Sequence, residues 1–433
     1  MSLIGLTVKK KYHCGSSEHF VARRNFLRST CVAGGSVFLG GGLSGLANAG
    51  QLAGGNRQLL VIFLDGGLSQ LESWDPKPGT LEGGPFRAIP TSVPGTHISE
   101  LLPYTSQQMH HLAVIRSLQT TEKDHTPAKY LLETGRNQKE GSDFPHLGAA
   151  ASSMLEPTEN DLPPYVVIQT SSYHLGHGGF LGSRYAGVNL VRGNPPRNLT
   201  PPEEIAAEEM RRRTELRNML DRRLTRSRRT ADTEAYASSY QMAQRMSRKK
   251  DVFDLSKESE QDQQRYGNHD FGRHCLLARR LLEAGLPCIQ VRHRAYDSHF
   301  ENFNIHLETL GEFDRTFATL MDDLHQRGML ESTLVVVMSE MGRTPKINNQ
   351  MGRDHWTKAW SMVLGGCGIQ SEAVYGKTND RGMDIEDGKV NQGDVFHTIY
   401  SALGIDSTQS FNIGGKDVPI AEPVHEPIED LLA

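Results

Sequence analysis

Three separate apolar runs of this sequence are each followed by acidic or imidazole side chains. Together with a histidine further along, these residues are Asp65, Asp297, His299, Glu340 and His355. Carboxylates and neutral imidazoles are good ligands for a divalent ion such as zinc or manganese, whereas calcium prefers oxygen ligands alone. We therefore expect a site for one or two divalent ions, with zinc or manganese favoured over calcium or magnesium.

The runs that precede these residues have the length and composition of buried strands. Six strands are predicted, over residues 59–64, 112–115, 165–168, 287–291, 334–338 and 361–364. Most of the runs are continuous rather than alternating, which suits strands covered on both faces. Helical spacing over 275–284 and 310–324 lies between them. The order predicts an α/β fold with a doubly wound, mostly parallel sheet, in which functional groups collect at the carboxyl ends of the strands.

Residues 201–264 differ from the rest because they are rich in Glu, Arg and Gln and sparse in apolar side chains. We predict an inserted helical segment there, acting as a layer or a lid. The arginines at 211–213 and 222–223 allow an anion patch, but a solvated helix face with acidic partners is the favoured interpretation. The stretch from Asp406 onward is predicted to be an irregular tail.

The first 49 residues have the order of an export signal. Arg23 and Arg24 precede an apolar, glycine-rich run over 32–46, and a small-x-small signature ends at Ala49. Paired arginines in this place indicate the twin-arginine export machinery as a partner and a periplasmic or extracellular location. The apolar run is too short and weak for a stable membrane span. Residues 50–433 are predicted to form a single domain.

The charge balance argues against a nucleic-acid partner. The chain holds 47 basic and 51 acidic residues, for a formal charge of -4. The leader is basic, so its removal makes the mature chain more acidic, whereas a phosphate backbone selects basic surfaces. Three of the 5 cysteines, Cys275, Cys288 and Cys367, lie outside the leader, without paired spacing. Burial, rather than a disulfide framework, is expected for them.

The order of the acidic and imidazole residues resembles the alkaline phosphatase superfamily, which includes the sulfatases and phosphoglycerate mutases. A local match supports the resemblance: His125-Thr126-Pro127-Ala128-Lys129, followed by Thr134-Gly135-Arg136, is similar in spacing to the sulfatase signature. Residues 393–399, leading to 403–405, resemble the late helix of sulfatases. The resemblance implies the α/β fold of this superfamily, with metal ligands scattered over the strand ends.

A more specific resemblance is to a bacterial family of uncharacterised, twin-arginine-exported, sulfatase-like proteins, a family of unknown function. It rests on Gly66 to Gln70, on Trp74-Asp75-Pro76-Lys77-Pro78, and on residues 340–345 and 352–356. It covers nearly the whole mature chain. Because the family itself is known by analogy of fold, it implies fold more strongly than function.

Two departures from the sulfatase pattern leave the mechanism open. His125 stands where sulfatases carry the Cys or Ser nucleophile, and Met341 stands where a histidine is common. Either His125 takes the vacated metal position, or Thr126 is the nucleophile beside a metal, or a water activated by the metal attacks without a covalent intermediate. We favour the first and third possibilities together.

From these residues and the resemblance we expect an exported, metal-dependent hydrolase. Its substrate would be a sulfate or phosphate ester of a small molecule or of a polysaccharide. Lys129, Arg343 and Arg353 are expected to hold the anionic oxygens, because guanidinium and ammonium groups pair with such oxygens. The alternative is a catalytically silent metal- or glycan-binding protein on the same scaffold. A phosphomutase-like isomerase also fits, but it needs a phosphorylatable hydroxyl, for which only Thr126 is well placed.

Overall fold

The alternation of apolar runs and helical patterns folds into a mostly parallel α/β sheet with helices on both faces, as predicted. The computed structural model describes residues 57–155, 161–170, 176–195, 199, 205–227 and 231–433. The predicted export signal over residues 1–49 lies outside the described residues. Residues 54–433 form one compact unit.

The strands form one large sheet and several two-stranded sheets. In chain order they are β1 (Gln58–Leu64), β2 (Ala88–Pro90), β3 (His97–Ser99), β4 (Leu112–Leu118), β5 (Tyr165–Gln169), β6 (Val188–Val191), β7 (Cys288–His293), β8 (Thr333–Met338), β9 (Gly342–Arg343), β10 (His355–Trp356), β11 (Trp360–Gly366), β12 (Ala373–Tyr375), β13 (Lys377–Thr378), β14 (Ile385–Asp387), β15 (Ser410–Ile413) and β16 (Lys416–Pro419).

The α-helices mostly follow strands of the large sheet. In chain order they are α1 (His125–Thr134), α2 (Leu147–Met154), α3 (Ala207–Ser227), α4 (Ala231–Arg248), α5 (Glu260–Tyr266), α6 (Asp270–Glu283), α7 (Asn302–Gln326) and α8 (Gln392–Ala402). None of the described helices is both long enough and apolar enough to cross a membrane.

The large sheet has eight strands in the order β12-β4-β11-β8-β1-β7-β5-β6. Strand β1 pairs in parallel with both β8 and β7, so the carboxyl ends of these three strands lie side by side at the centre of the sheet. Strand β11 runs against its neighbours β4 and β8 and is the reversed strand of an otherwise parallel sheet.

The continuous apolar runs arise because both faces of the sheet are covered. In β1, Leu60 and Ile62 pack into one hydrophobic core, whereas Val61 and Phe63 pack into the other. Helices α6 and α7 cover the first face, and α1, α2 and α8 cover the second. A residue directly after β1 therefore lies at an open edge between two packed layers.

The six predicted strands are all present, each within a few residues of its predicted bounds. The edge strands β6 and β12 were not predicted, since both are short and only partly buried. The prediction of an irregular tail from Asp406 is wrong. The segment forms the β15–β16 hairpin and buries Ile420 and Leu431 in the second core, so its apolar residues are fixed by tertiary packing.

Within the predicted insert over 201–264, the described residues form α3, α4 and α5. The arginines of α3 pair within the helix, Arg211 with Glu208 and Glu215, and Arg213 with Glu209. These pairs are exposed and join residues three or four positions apart, as expected for a solvated helix face. Cys275, Cys288 and Cys367 are buried free thiols.

Candidate metal centre

Three adjacent parallel strands end at the candidate site. Glu340 follows β8, Asp65 follows β1, and the loop after β7 carries Asp297. Because β8, β1 and β7 are neighbours that point the same way, their carboxyl ends deliver these acidic groups to one edge of the sheet. The sheet topology thus explains why residues more than 200 positions apart in the sequence meet.

The turn after β1 is held against both neighbouring loops. The backbone N–H of Gly66 donates to both carboxylate oxygens of Glu340, at 3.0 and 3.1 Å. Gly66 has a φ of +121°, and a Cβ there would lie 2.5 Å from the backbone nitrogen of Asp297. Only glycine allows this approach, so Gly66 sets the distance between the β1 turn and the loop that carries Asp297.

His125 reaches this edge from the first residue of α1, on the connection that follows β4. Its Nδ1 lies 2.8 Å from Oε1 of Glu340, whose side chain is fully buried. Its Nε2 lies 3.3 Å from Oδ2 of Asp297. That Nε2 atom is buried and has no hydrogen-bond partner among the described residues.

His299 and His355 lie near the other oxygen of the same carboxylate. The Nε2 atoms of the two rings are 3.0 Å apart, and they lie 3.3 and 3.6 Å from Oδ1 of Asp297. Nδ1 of His299 lies 2.9 Å from Oδ1 of Asp354. Nδ1 of His355 lies 2.6 Å from the backbone carbonyl of Lys123.

The partners of the three Nδ1 atoms, which are Glu340, Asp354 and the carbonyl of Lys123, define the tautomer of each ring. A carbonyl or a carboxylate accepts a hydrogen bond, so Nδ1 of each of the three imidazoles carries the proton and donates it. In the neutral rings the Nε2 lone pairs of His299 and His355 then face each other, and that of His125 faces Asp297. Lone pairs at such distances repel unless a cation or a proton lies between them.

The donor spacing of three of these residues is compatible with ligands around one ion. One donor atom each from His125, Asp297 and His355 lie within 4.8 Å of one another. A tetrahedral zinc ion with ligands at about 2.0–2.1 Å would separate its donors by roughly 3.3 Å. Nε2 of His125 lies 3.3 Å from Oδ2 of Asp297, and Nε2 of His355 lies 3.6 Å from Oδ1 of the same residue, both close to that value. His299 is not one of these three residues, but its Nε2 lies 3.0 Å from that of His355. The residues present therefore fit a bound metal ion.

Rigid backbone supports the loops that carry these side chains. Ala295, Glu301 and Met351 are non-glycine residues with positive φ values of 79°, 49° and 55°. Such residues concentrate at binding and catalytic sites, where the surrounding structure holds them in place. A Cβ on Gly352 would lie 1.8 Å from the carbonyl oxygen of His299, so the two loops are in direct backbone contact.

The local charges favour a cation at the centre. The hydrogen bond to Glu340 raises the pKa of His125, and the negative charge of Asp297 adds to it. Burial alone would raise the pKa of Asp297, but Arg343 and the neighbouring imidazoles lower it, so this carboxyl is ionised. The pKa of His355 is lowered, first by burial and then by Arg343. A negative field that favours a proton on His125 also favours a metal ion there.

Asp65 and Glu340, two of the six predicted ligands, lie beside the imidazole group rather than in it. Asp65 is paired with Lys129, whose Nζ is 2.5 Å from Oδ1, and with Arg292, whose terminal nitrogen is 3.0 Å from Oδ2. Glu340 accepts a hydrogen bond from Nδ1 of His125, on the side of the ring away from Asp297. The four remaining predicted ligands, His125, Asp297, His299 and His355, come together.

The residues expected to hold substrate oxygens are placed differently from the prediction. Arg343 is fully buried and donates to Asp297 and to the backbone carbonyls of Gly66, Gly67 and Arg353. A substrate anion would have to displace these acceptors to reach it. Arg343 therefore orients Asp297 and ties the loops together.

Arg353 is also fully buried. It forms an ion pair with the buried Glu72 at 2.8 Å and donates to the backbone carbonyls of Thr344, Pro345 and Glu82. Its guanidinium faces the protein interior, so it stabilises the loop that leads to His355. The ammonium group of the partly exposed Lys129 is paired with Asp65. Thr126 is exposed in the first turn of α1, and no hydrogen bond joins its side chain to the described residues of the site.

Sequence reasoning missed the residues that orient the imidazoles. Asp354 and the carbonyl of Lys123 act behind His299 and His355, and Arg292 links Asp65 to the buried Glu133. One signal was available for Arg292, because a charged residue near the end of a buried apolar strand requires a buried partner. A backbone carbonyl such as that of Lys123 leaves no signal in a sequence.

Several solved structures resemble the chain. Lipoteichoic acid synthase LtaP from Listeria monocytogenes has 9% sequence identity and a TM-score of 0.40, covering 86% of this chain and 76% of that one. For PsFucS1 sulfatase from Pseudoalteromonas sp. the values are 13%, 0.35, 84% and 70%. For alkaline phosphatase from the Antarctic bacterium TAB5 they are 13%, 0.38, 81% and 99%. At these TM-scores the likeness does not bear on what this chain binds.

Among curated proteins, no sequence matches the chain significantly. A family model does match it, over residues 56–432, and its description is "Protein of unknown function (DUF1501)". The match covers the large sheet, the helices that flank it and every residue of the candidate metal centre. The chain therefore belongs to the DUF1501 family.

Proposed function

We propose that this protein is an exported, metal-dependent hydrolase that acts on a sulfate or phosphate ester, with His125, Asp297, His299 and His355 as the ligands of the metal. One observation carries the proposal: three imidazoles have acceptors at Nδ1 and place their Nε2 atoms within 3.3–3.6 Å of the carboxylate of Asp297. Metal-binding histidines typically donate their second nitrogen to a carboxylate or carbonyl in this way.

The donor set favours zinc. Imidazole nitrogens combined with one carboxylate suit zinc better than manganese, which prefers a larger share of oxygen ligands. Calcium and magnesium, which bind through oxygen, fit least well. A bound zinc ion would neutralise an anionic ester and lower the pKa of a coordinated water toward neutrality.

The other groups of the site orient the proposed ligands. Glu340, Asp354 and the Lys123 carbonyl orient the three imidazoles, and Arg343 orients Asp297. The side chains of Asp297 and His299 are 47% and 41% exposed, so one side of the centre is open to a substrate. His125 stands where a nucleophile would be expected and has an imidazole there, which favours attack by water over a covalent intermediate.

The test combines metal analysis with an ester panel. Purified mature protein should contain one equivalent of zinc, or take it up after chelator treatment and reconstitution. It should hydrolyse aryl sulfate or aryl phosphate esters only in the metal-loaded form. His355→Ala should weaken zinc binding by roughly 10²-fold, about a quarter of the free energy of a four-ligand zinc site. A preparation that binds no stoichiometric divalent metal would contradict the proposal.

Export by the twin-arginine route is part of the same proposal. It rests on Arg23 and Arg24 and on the small-x-small signature ending at Ala49. Replacing both arginines with lysine should retain the full-length chain inside the cell, whereas the wild type should appear outside the cytoplasm without its leader. Cell fractionation with N-terminal sequencing measures both results. Normal export of the variant would exclude this route.

One observation favours the alternative of a catalytically silent metal- or glycan-binding protein. Arg343 and Arg353, the expected anion-binding groups, are buried and bound to protein acceptors. Such a protein would bind zinc as tightly as the hydrolase but turn over no ester in the panel. Turnover that disappears in His355→Ala, while its circular dichroism spectrum stays unchanged, would exclude the alternative.

A further inference from the structure

We propose that the metal centre holds a single ion per chain, because the ammonium group of Lys129 takes the position that a second cation would need. The inference rests on the proposed function, since it assumes that the imidazole group binds the first ion. It concerns Asp65 and Glu340, the two acidic side chains that the fold brings to the site and that do not face the imidazole group.

Lys129 lies between these two carboxylates. Its Nζ is 2.5 Å from Oδ1 of Asp65 and 3.8 Å from Oε1 of Glu340. It stands four residues after His125 in α1, so both side chains project from the same face of the helix. The helix that supplies the metal ligand His125 thus also supplies a fixed positive charge one turn later.

The remaining oxygens of the carboxylates are also in use. Oδ2 of Asp65 accepts from Nε of Arg292 at 3.1 Å, and the same oxygen is 3.0 Å from a terminal nitrogen of that guanidinium. Arg292 is held in place by Glu133 at 2.5 Å. Glu340 accepts from the backbone N–H of Gly66 and from His125. Each of these oxygens therefore already has a donor or a cation beside it.

These contacts oppose a second divalent ion on electrostatic grounds. The ammonium group is a compact point charge, and it is tethered to α1. A second divalent ion at Asp65 and Glu340 would have to displace Lys129 and would remain close to Arg292 and to the first ion. Repulsion between such charges at a few ångströms in a partly buried site is strong. Removing the lysine side chain should therefore open the position.

The experiment is a metal titration of the full mature chain after removal of bound metal. Zinc and then manganese are added, binding is followed by calorimetry, and bound metal is counted by elemental analysis. The wild type should bind one equivalent in total. Lys129→Ala should bind two, with the second equivalent weaker than the first. The control Lys377→Ala, which removes an exposed lysine paired with Glu386, should bind one.

Two further variants show where the second ion binds. The double variant Asp65→Asn, Lys129→Ala should return to one equivalent, because the carboxylate that holds the second ion is gone. Asp65→Asn alone keeps the lysine and should retain one equivalent with unchanged zinc affinity, since Asp65 is not a ligand of the first ion. If Lys129→Ala does not fold by circular dichroism, Asp65→Asn still tests whether the single ion is bound by the imidazole group rather than by Asp65, and Lys129→Met, which keeps the length of the side chain without its charge, replaces the alanine variant.

Three results would overturn the inference: two equivalents in the wild type, one equivalent in folded Lys129→Ala, or loss of the single equivalent in Asp65→Asn. If the wild-type protein binds no metal, both the proposed function and this inference are contradicted. A wild type that binds one ion but hydrolyses no ester removes only the hydrolase, and the single-ion site stands.

Discussion

At the scale of single residues, the candidate centre depends on groups that are not among the proposed metal ligands. Each imidazole of the site is fixed by a different kind of acceptor: a buried carboxylate for His125, an exposed carboxylate for His299 and a backbone carbonyl for His355. Such partners set both the tautomer and the direction of the ring. Replacing an acceptor should therefore change metal affinity without removing a ligand.

Asp354→Ala tests this effect at the most accessible acceptor. We expect the variant to bind zinc about 10- to 100-fold more weakly, because the ring of His299 loses the group that orients it. Asp354→Asn should lose less, since an amide oxygen still accepts from Nδ1. Competition with a chelating dye gives the affinities. Asp417→Ala, which removes an exposed carboxylate that accepts from Asn412, is the control and should bind zinc like the wild type. Equal affinities for all three variants would contradict the role of Asp354.

At the scale of elements, the close packing of three strand-end loops decides the site. The β1 turn passes so close to the loop after β7 that only a residue without a side chain fits at Gly66. The same turn is bound from the other side by Ser339 and Glu340, which follow β8. The three loops therefore behave as one unit, and a displacement of the turn displaces Asp297.

Gly66→Ala should destabilise the protein by about 2–4 kcal/mol, because the new Cβ meets the backbone of Asp297 in a left-handed conformation. Zinc affinity should fall with it, since Asp297 must move. Gly79→Ala is a matched control: Gly79 also has a positive φ, of +77°, but a Cβ there meets nothing within 4 Å. Gly79→Ala should lower the free energy of unfolding by about 1 kcal/mol and leave zinc affinity unchanged. Urea unfolding and metal titration measure both quantities, and similar losses in the two variants would contradict the packing argument.

The sequence predicted the central elements well because their apolar runs are continuous and bounded. It did not predict the reversed direction of β11 or the hairpin after Asp406, because strand direction and the burial of short segments depend on which neighbours the chain meets. Of the candidate site, the residue types were visible in the sequence. Their division into an imidazole group and a lysine-paired carboxylate group was not.

At the scale of the whole molecule, buried histidines link stability to pH. His274 on α6 is completely buried, and neither ring nitrogen has a hydrogen-bond partner among the described residues. Burial lowers its pKa to about 4. The unfolded chain, in which a histidine titrates near 6.5, takes up the proton first as the pH falls. The stability contributed by neutral His274 is therefore complete above about pH 6.5 and is lost as the pH falls toward 4.

His274→Leu should remove this part of the pH dependence. Between pH 7 and 4.5 the free energy of unfolding should fall less in the variant than in the wild type, by up to about 3 kcal/mol. The variant should also be more stable at pH 4.5, because a buried polar group without a partner is replaced by an apolar one. Urea unfolding in the presence of a chelator, which removes metal-linked effects, measures the difference. His97→Leu, at an exposed histidine, is the control, and parallel pH profiles for His274→Leu and the wild type would refute the argument.

The amino-acid sequence alone determined the class of fold, the positions of the central strands and the residue types able to bind a metal, because hydrophobic periodicity and ligand chemistry are local properties. Tertiary structure alone decided which of those residues share a centre. The parallel order β8-β1-β7 brings three loops to one edge, but the direction of each side chain there is set by partners distant in sequence. Asp65 pairs with Lys129 and Arg292, whereas His299 meets His355, which lies 56 positions further along the chain. Non-local hydrogen bonds and charge pairs of this kind have no signature in a linear pattern.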